Sequence, residues 1–383
     1  MISLGPEDAK VEIGGETVLF RHEKTFYHQT AIAISIDDNL SDGDLISRIK
    51  AIEGIGFERV GQHIAIDMIA LVNKSLSSER YLNTLDRIVS NSKKPLILMC
   101  SDAKVIEQAM KKCQDKKPLL YAATQDNLKD ICNVAKACKA PLVLKADDLG
   151  TLDRLSQEAT KSGLQDLVLD PGFTNIHQAL NDLTQIRRLA LKRNYRPFGF
   201  PVISVIKNTE KYRIVSDACM LIAKYAGVIV LDSLEREVLL PIVTMRQNIY
   251  TDPQKPVTVE PKLYSFGSPD KNSPVLVTTN FSLTYYTVSP EIESSGQPAY
   301  LLVTDSEGMS VLTAWAAEKF TAEVIADTIK KIGLEDTVSH KRIIIPGYVA
   351  VLSGKLEDAS GWEVLVGPKE ASGIPKYLKE VWK

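Results

Sequence analysis

The sequence predicts an α/β protein in which a (β/α)8 TIM barrel is followed by a small flavodoxin- or Rossmann-like open sheet. Three observations carry that expectation. Between Ala31 and Asn248 an apolar run, a turn and an amphipathic stretch recur eight times. The apolar runs are short and uniformly apolar, as parallel strands covered on both faces by crossover helices are. The same alternation resumes after a proline-rich stretch, and a chain of 383 residues is too long for one core.

Residues 1–27 contain KVEIGGETVLF (Lys10–Phe20), which alternates apolar and polar residues around Gly14-Gly15 and reads as a hairpin plugging the barrel bottom. The barrel is expected over 28–250. Its strands are Ala31–Ile36, Ile64–Leu71, Pro95–Cys100, Pro118–Ala122, Pro141–Lys145, Leu167–Leu169, Pro201–Val205 and Val228–Leu231. Helices follow at Gly43–Ile55, Ser78–Val89, Ala103–Cys113, Gln125–Cys138, Leu149–Ser162, Ile176–Arg193, Glu210–Ala226 and Leu234–Asn248, each with 3.6-residue periodicity. Ser78 is the expected N-cap of the second. Residues 251–274 carry Pro253, Pro256, Pro261, Gly267 and Pro269 and read as a linker. In the tail, 275–383, strands are expected at Val275–Thr278, Tyr300–Val303, Arg342–Ile345 and Trp362–Val366. Helices are expected at Met309–Lys319 and Ala322–Lys331, with helical character at Val349–Leu352 and Pro375–Trp382.

Composition excludes several classes of function. Net charge is −2 with signs interspersed and no dense Lys/Arg block, so no nucleic-acid footprint exists. No apolar run reaches membrane-spanning length, and the N-terminus lacks the pattern of a signal peptide. Five scattered cysteines (Cys100, Cys113, Cys132, Cys138 and Cys219) without a Cys-x-x-Cys pair point to a reducing, cytoplasmic setting and to ordinary packing roles.

Asp37, Asp102, Asp147, Asp170 and Asp232 fall just past barrel strand ends, where barrel enzymes place catalytic groups. Aspartates there also cap the following helix, and capping and packing account for most of them. Only Lys145 offers a comparable basic group, and no glycine-rich phosphate loop follows strands seven and eight. The barrel therefore reads as chemically quiet, with no catalytic residue assigned.

The tail differs. Each of its strands is followed by a loop rich in small and hydroxyl residues: Thr278–Tyr286, Thr304–Thr313, Pro346–Gly354 and Gly367–Gly373. Open sheets bind ligands at these strand ends, and small residues let a large planar ligand approach the backbone. Turns are rich in such residues anyway, but their repetition on one sheet edge favours a ligand. No G-x-G-x-x-G is present, which argues against a dinucleotide.

The segments KTFYHQTAIAI, VLDPG, VTTNFSLTYYTVSPEIE, EGMSVLTAWAAEKF and IPGYVAVLSGKLEDASGWEVLVGP, in the order hairpin, barrel, small α/β tail, resemble the large (gamma) subunit of the corrinoid iron–sulfur protein of the reductive acetyl-CoA pathway. The resemblance covers the whole chain, and the tail motifs are its most specific part. It implies a corrinoid (cobalamin-type) cofactor, with contacts at Thr279 and Tyr285 in the first loop, at Met309, Ser310, Val311, Leu312 and Thr313 in the second, and at Gly373 in the last. Thr313 is expected to face cobalt from the lower side without ligating it. By position, Gly347, Ala350, Ser353 and Gly354 are added as a slot for the nucleotide tail.

Many corrinoid carriers use Asp-x-His-x-x-Gly, and none of His22, His28, His63, His177 and His340 stands in that pattern. Base-off binding without a protein imidazole is expected, as the resemblance also implies. The family's four-cysteine [4Fe–4S] domain is not found before the hairpin, so the cluster is expected only in the full-length protein. The implied function is a methyl carrier that takes a methyl group from methyltetrahydrofolate through a methyltransferase and delivers it to acetyl-CoA synthase. Implied partners are a small barrel subunit forming a heterodimer, that methyltransferase, acetyl-CoA synthase and a reductive activator. The alternative is a pterin-dependent methyltransferase barrel using Asp147 and Asp170, with a regulatory tail.

Overall fold

The structure is a computed structural model describing residues 1–382 except 21, 24–25, 60–61 and 253–255, so Lys24 and Thr25 of the first quoted segment and Pro253 of the expected linker lie outside the described residues. The chain divides into two compact units, Met1–Phe57 with Ile64–Asp252, and Glu58–His63 with Pro253–Lys383.

In the first unit eight parallel strands form a nearly closed barrel: Ala31–Asp37, Met68–Val72, Leu96–Met99, Leu119–Ala123, Leu142–Lys145, Leu167–Asp170, Ile203–Val205 and Val228–Leu231. Seven neighbour pairs are laddered, Leu119–Ala123 with Leu142–Lys145 through a register shift, and the ring is completed by a bridge between Leu169 and Val202, where Leu169 N donates to Pro201 O at 2.9 Å. The two-residue period of the strands explains why both faces had to be apolar. Ala31, Ala33, Met68, Ala70, Ile97 and Leu119 point inward, whereas Ile32, Ile34, Ile69, Leu71, Leu98 and Leu120 pack under the helices.

Three expectations for this unit are corrected. The hairpin pairs Ile2–Leu4 with Val11–Ile13, not strands on either side of Gly14-Gly15. The reversal is made by Gly5 at φ +87° and a 3-10 turn at Glu7–Ala9. Ile2, Leu4 and Ile13 join the interior cluster, and Gly14 lies against Pro201, so the hairpin sits at the N-terminal end of the strands. The run Ile64–Leu71 is not one strand: Gln62–Ala65 pairs in a ribbon with Gly56–Arg59, and the barrel strand starts at Met68. Asp67 separates them, its carboxylate accepting from Ile32 N at 2.8 Å and pairing with buried Arg246. The N-cap of the second helix is Ser77 rather than Ser78.

The second unit holds a five-stranded sheet, ordered Leu263–Phe266, Ala299–Thr304, Val275–Thr279, Arg342–Ile345, Glu363–Val366. The first is antiparallel to its neighbour and the rest are parallel. Residues 263–266, expected within a linker, are thus an edge strand. Helices cover both faces. Val275, Val277, Leu302, Ile343 and Ile345 pack with Ala322–Ile332 and Ser353–Ser360, while Leu276, Leu301, Val303 and Ile344 pack with Ser282–Ser294 and Ile374–Val381. The helix Ser282–Ser294 begins inside the loop expected over Thr278–Tyr286, and the helix expected over Met309–Lys319 is only Val311–Ala316.

Candidate functional site

From the strand Val275–Thr279 the chain crosses one face to Ala299–Thr304 on one side, then crosses the other face to Arg342–Ile345 on the opposite side. The two strands flanking this reversal pair only through Leu276 and Ile344, so they diverge toward their C-terminal ends. Reversal of this kind opens a crevice in a parallel sheet. A groove of about 330 Å³ lies there, floored by Leu276, Val277, Thr278, Ile344 and Ile345. One wall carries Phe281, Leu283, Thr284 and Thr287, another Ser310 and Val311, and the third Pro346, Tyr348 and the segment Gly367–Ala371.

The floor contains a polar atom in need of a partner. Thr278 is 1 % exposed and its Oγ1 bonds to nothing, and the Oγ1 of fully buried Thr279 is likewise unpartnered. Buried hydroxyls are normally satisfied, so these two unpartnered oxygens set this strand end apart from the apolar floor around it. Gly347 is required for the shape of the third wall: a Cβ there would meet Gly367 O at 2.6 Å and Lys369 N at 2.8 Å. Tyr348 Oη donates to Glu370 Oε1 across the loops, and this bond to a carboxylate pushes the phenol pKa up. Leu283 and Tyr348, which line the groove, are exposed apolar side chains, as are Tyr286, Leu312, Trp315 and Val351 on the elements that carry its walls.

Of the residues singled out from sequence, Ser310 and Val311 line this groove. Thr313 is exposed one helical turn on, its Oγ1 3.0 Å from Ser310 Oγ. Leu312 is exposed beside it, and Met309 packs against the sheet's core. Tyr285 is half-buried against Tyr264, ring centroids 4.8 Å apart, and burial pushes both phenols up to about 12. Gly347, Ala350, Ser353 and Gly354 are not among the groove's lining residues, and Gly354 faces open space. Gly373 lies between the lining residues Ala371 and Ile374. Phe281, Pro346, Tyr348 and Lys369 were missed as individuals, although every one lies in a strand-end loop legible in the sequence.

No histidine lines the groove. His340 stands at the opposite, N-terminal edge of the sheet, its Nε2 2.9 Å from Ser273 O and its ring against Trp382. Among the described residues no three Cys, His, Asp or Glu side chains converge to hold a metal ion.

The barrel mouth is less quiet than expected. Tyr121, Lys145 and Asp170 meet at the ends of three adjacent strands. Tyr121 Oη donates to Asp170 Oδ2 at 2.6 Å and accepts from Lys145 Nζ at 2.8 Å. Asp170 also accepts from Gly172 N, and burial with the adjacent Asp170 charge drives the Tyr121 pKa far upward. Asp37 pairs with Lys74 and Asp232 with Arg48, while only Asp102 of the five aspartates caps a helix. Asp148, not Asp147, caps the helix after strand five. The space beside Tyr121, Lys145 and Asp170 is about 10 Å³, room for a single water.

The model of the CO dehydrogenase/acetyl-CoA synthase delta subunit family matches residues 1–378. The chain belongs to that family. It is 46% identical over 378 residues to the corrinoid/iron-sulfur protein large subunit of Moorella thermoacetica, covering 99% of this chain and 85% of that one. It is 39% identical to the acetyl-CoA decarbonylase/synthase complex subunit gamma of Methanothermobacter thermautotrophicus, covering 99% and 86%. Membership of this family joins this chain to relatives named for a corrinoid/iron-sulfur protein and for an acetyl-CoA decarbonylase/synthase complex. No helix among the described residues is long and apolar enough to cross a membrane.

Proposed function

We propose that this chain is the corrinoid-carrying subunit of a methyl-transfer system. It would receive a methyl group from methyltetrahydrofolate through a methyltransferase and present it to acetyl-CoA synthase. The observation that carries this reading is the groove at the sheet's reversal point, in a strand order that matches flavodoxin-like doubly wound sheets. A corrinoid, when bound, supplies the nucleophilic metal that accepts the methyl group, and the protein supplies position and surroundings.

The residues present fit such a group. The apolar floor and the walls from Phe281 and Val311 suit the aromatic nucleotide arm. The Thr278 hydroxyl gains the partner it lacks, and Lys369 sets a cation beside an arm that carries a phosphodiester. The exposed apolar rim suits the edge of a flat macrocycle too wide for the groove itself. Ser310 and Thr313 offer hydroxyls that can hydrogen-bond near the metal's lower side. Base-off binding without a protein nitrogen ligand is part of this reading. The proposed partners are a small barrel subunit capping the upper face, the methyltransferase, acetyl-CoA synthase and a reductive activator.

A pterin-dependent methyltransferase barrel is the weaker reading. Asp170 is already bonded to Tyr121 and Gly172, and Asp147 is exposed. The test is the visible spectrum of the chain purified anaerobically with its partner. Corrinoid absorption in near-stoichiometric amount is expected; its absence from chain and complex alike would sink the proposal.

A further inference from the structure

One buried amide spans two walls of the groove. Asn280 follows the strand Val275–Thr279 and precedes Phe281, so its backbone belongs to the first wall. Its side chain, 3 % exposed overall, reaches into the second loop. Ser306 N at 3.0 Å and Gly308 N at 3.1 Å both direct hydrogens at Asn280 Oδ1. Two backbone donors converging on one atom identify it as the amide oxygen. The other end, Nδ2, donates to Asp305 Oδ1 at 3.0 Å, and the same Asp305 oxygen accepts from Glu307 N at 3.0 Å. The Asn280 carbonyl accepts from Val259 N at 2.9 Å, which anchors the residue from its other side.

The loop held this way is one that would not keep its shape alone. Glu307 and Gly308 both have positive φ, +55° and +75°, a conformation costly for a residue with a side chain. The single hydroxyl hydrogen of Ser306 lies between two acceptors, Asn280 Oδ1 at 2.8 Å and Met309 O at 3.0 Å, which places the residue just before Ser310 and the helix Val311–Ala316 beside the amide. Ser310 and Val311 are the second wall.

We infer that Asn280 is a positioning residue that sets the spacing of the two walls, and hence of the ligand groups they hold. This rests on the corrinoid reading for the identity of the ligand, and on geometry alone for the positioning. Asparagine is the side chain of right length with an acceptor and a donor. Alanine has neither, and aspartate keeps the acceptor but sets a second carboxylate against Asp305.

The test uses the full chain, wild type and variants, with hydroxocobalamin as probe. In the cofactor-free chain, Asn280→Ala should accelerate hydrogen exchange at the Ser306 and Gly308 amides while barrel amides are unaffected. Losing these bonds to a buried loop should weaken hydroxocobalamin binding about 10-fold. Ser306→Ala, a milder change, should weaken it by about half as much on a logarithmic scale, and the double variant should resemble Asn280→Ala because the two act as one unit. At saturation, the induced circular dichroism of the bound corrin should differ from wild type in Asn280→Ala at temperatures well below its melting, a change that lost stability alone does not produce. Unchanged affinity with unchanged exchange, or strict additivity of the two variants, would overturn the inference. If wild type binds no corrinoid, the proposed function fails, and exchange at Ser306 and Gly308 alone decides the role of Asn280.

Discussion

Tyr121 illustrates how a side chain inside an apolar strand can set the character of a site. Its ring belongs to the barrel interior while its hydroxyl sits between a carboxylate and an ammonium. Removing that hydroxyl leaves Asp170, 4 % exposed, with one fewer donor. Tyr121→Phe is expected to destabilise the protein by about 1–3 kcal/mol, the cost of an under-satisfied buried carboxylate, read by urea unfolding monitored in the far-ultraviolet. Corrinoid content should stay unchanged, because the groove shares no residue with this network. Lys145 and Asp170 were visible in the sequence as strand-end polar residues. Tyr121 was not, because a tyrosine in LLYAA reads as one more apolar residue until the strand's inward face is known. The same limit hid Asn280: in a string of Thr, Asn and Ser its neighbours look equivalent, and only the loop it bonds distinguishes it.

At the level of elements, legibility followed the strength of the local pattern. The barrel strands announced themselves because burial on both faces leaves unbroken apolar runs, and most boundaries moved by only a residue or two. The helix Ser282–Ser294 did not. SLTYYTVSPEIES combines β-branched and aromatic residues with Pro290, all poor helix formers, and lacks a side-chain N-cap. It is helical because Val288 and Ile292 pack on the sheet, a tertiary cause invisible to propensity. The second loop gives the sharpest element-scale prediction. Gly308 has φ +75°, and a Cβ there would lie 2.8 Å from Thr258 Cγ2. Gly308→Ala should therefore cost about 1–3 kcal/mol and lower corrinoid affinity together with stability. Thermal melting and spectral titration of the same preparation measure both, and an alanine variant as stable as wild type would show that the loop relaxes freely.

Across the whole molecule, two separate cores divide the work. The barrel pairs three aspartates at its mouth, Asp37 with Lys74, Asp232 with Arg48 and Asp170 with Tyr121, although Asn73 Oδ1 and Ser204 Oγ stay unpartnered. The second unit leaves a groove hydroxyl unpaired and an apolar rim exposed. This division was anticipated in part, since in the tail every parallel strand is followed by a loop rich in small and hydroxyl residues. The groove's actual lining could not be, because it depends on which strands neighbour the reversal in sheet order, and that order is set by crossovers rather than by local sequence.

The edge strand Leu263–Phe266 has a practical consequence for dissecting the protein. A C-terminal fragment started at Val275, where parallel strands begin, would strip Ala299–Thr304 of the backbone partners it has in Leu263–Phe266. It would present a bare, apolar ribbon to every other copy in solution, a template for self-association. A fragment started near Val257 would keep that ribbon covered, and would also keep the Val259 anchor of Asn280. Light scattering should find the shorter fragment aggregated and the longer one monodisperse. The stretch that joins the units thus travels with the second as a piece of its wall.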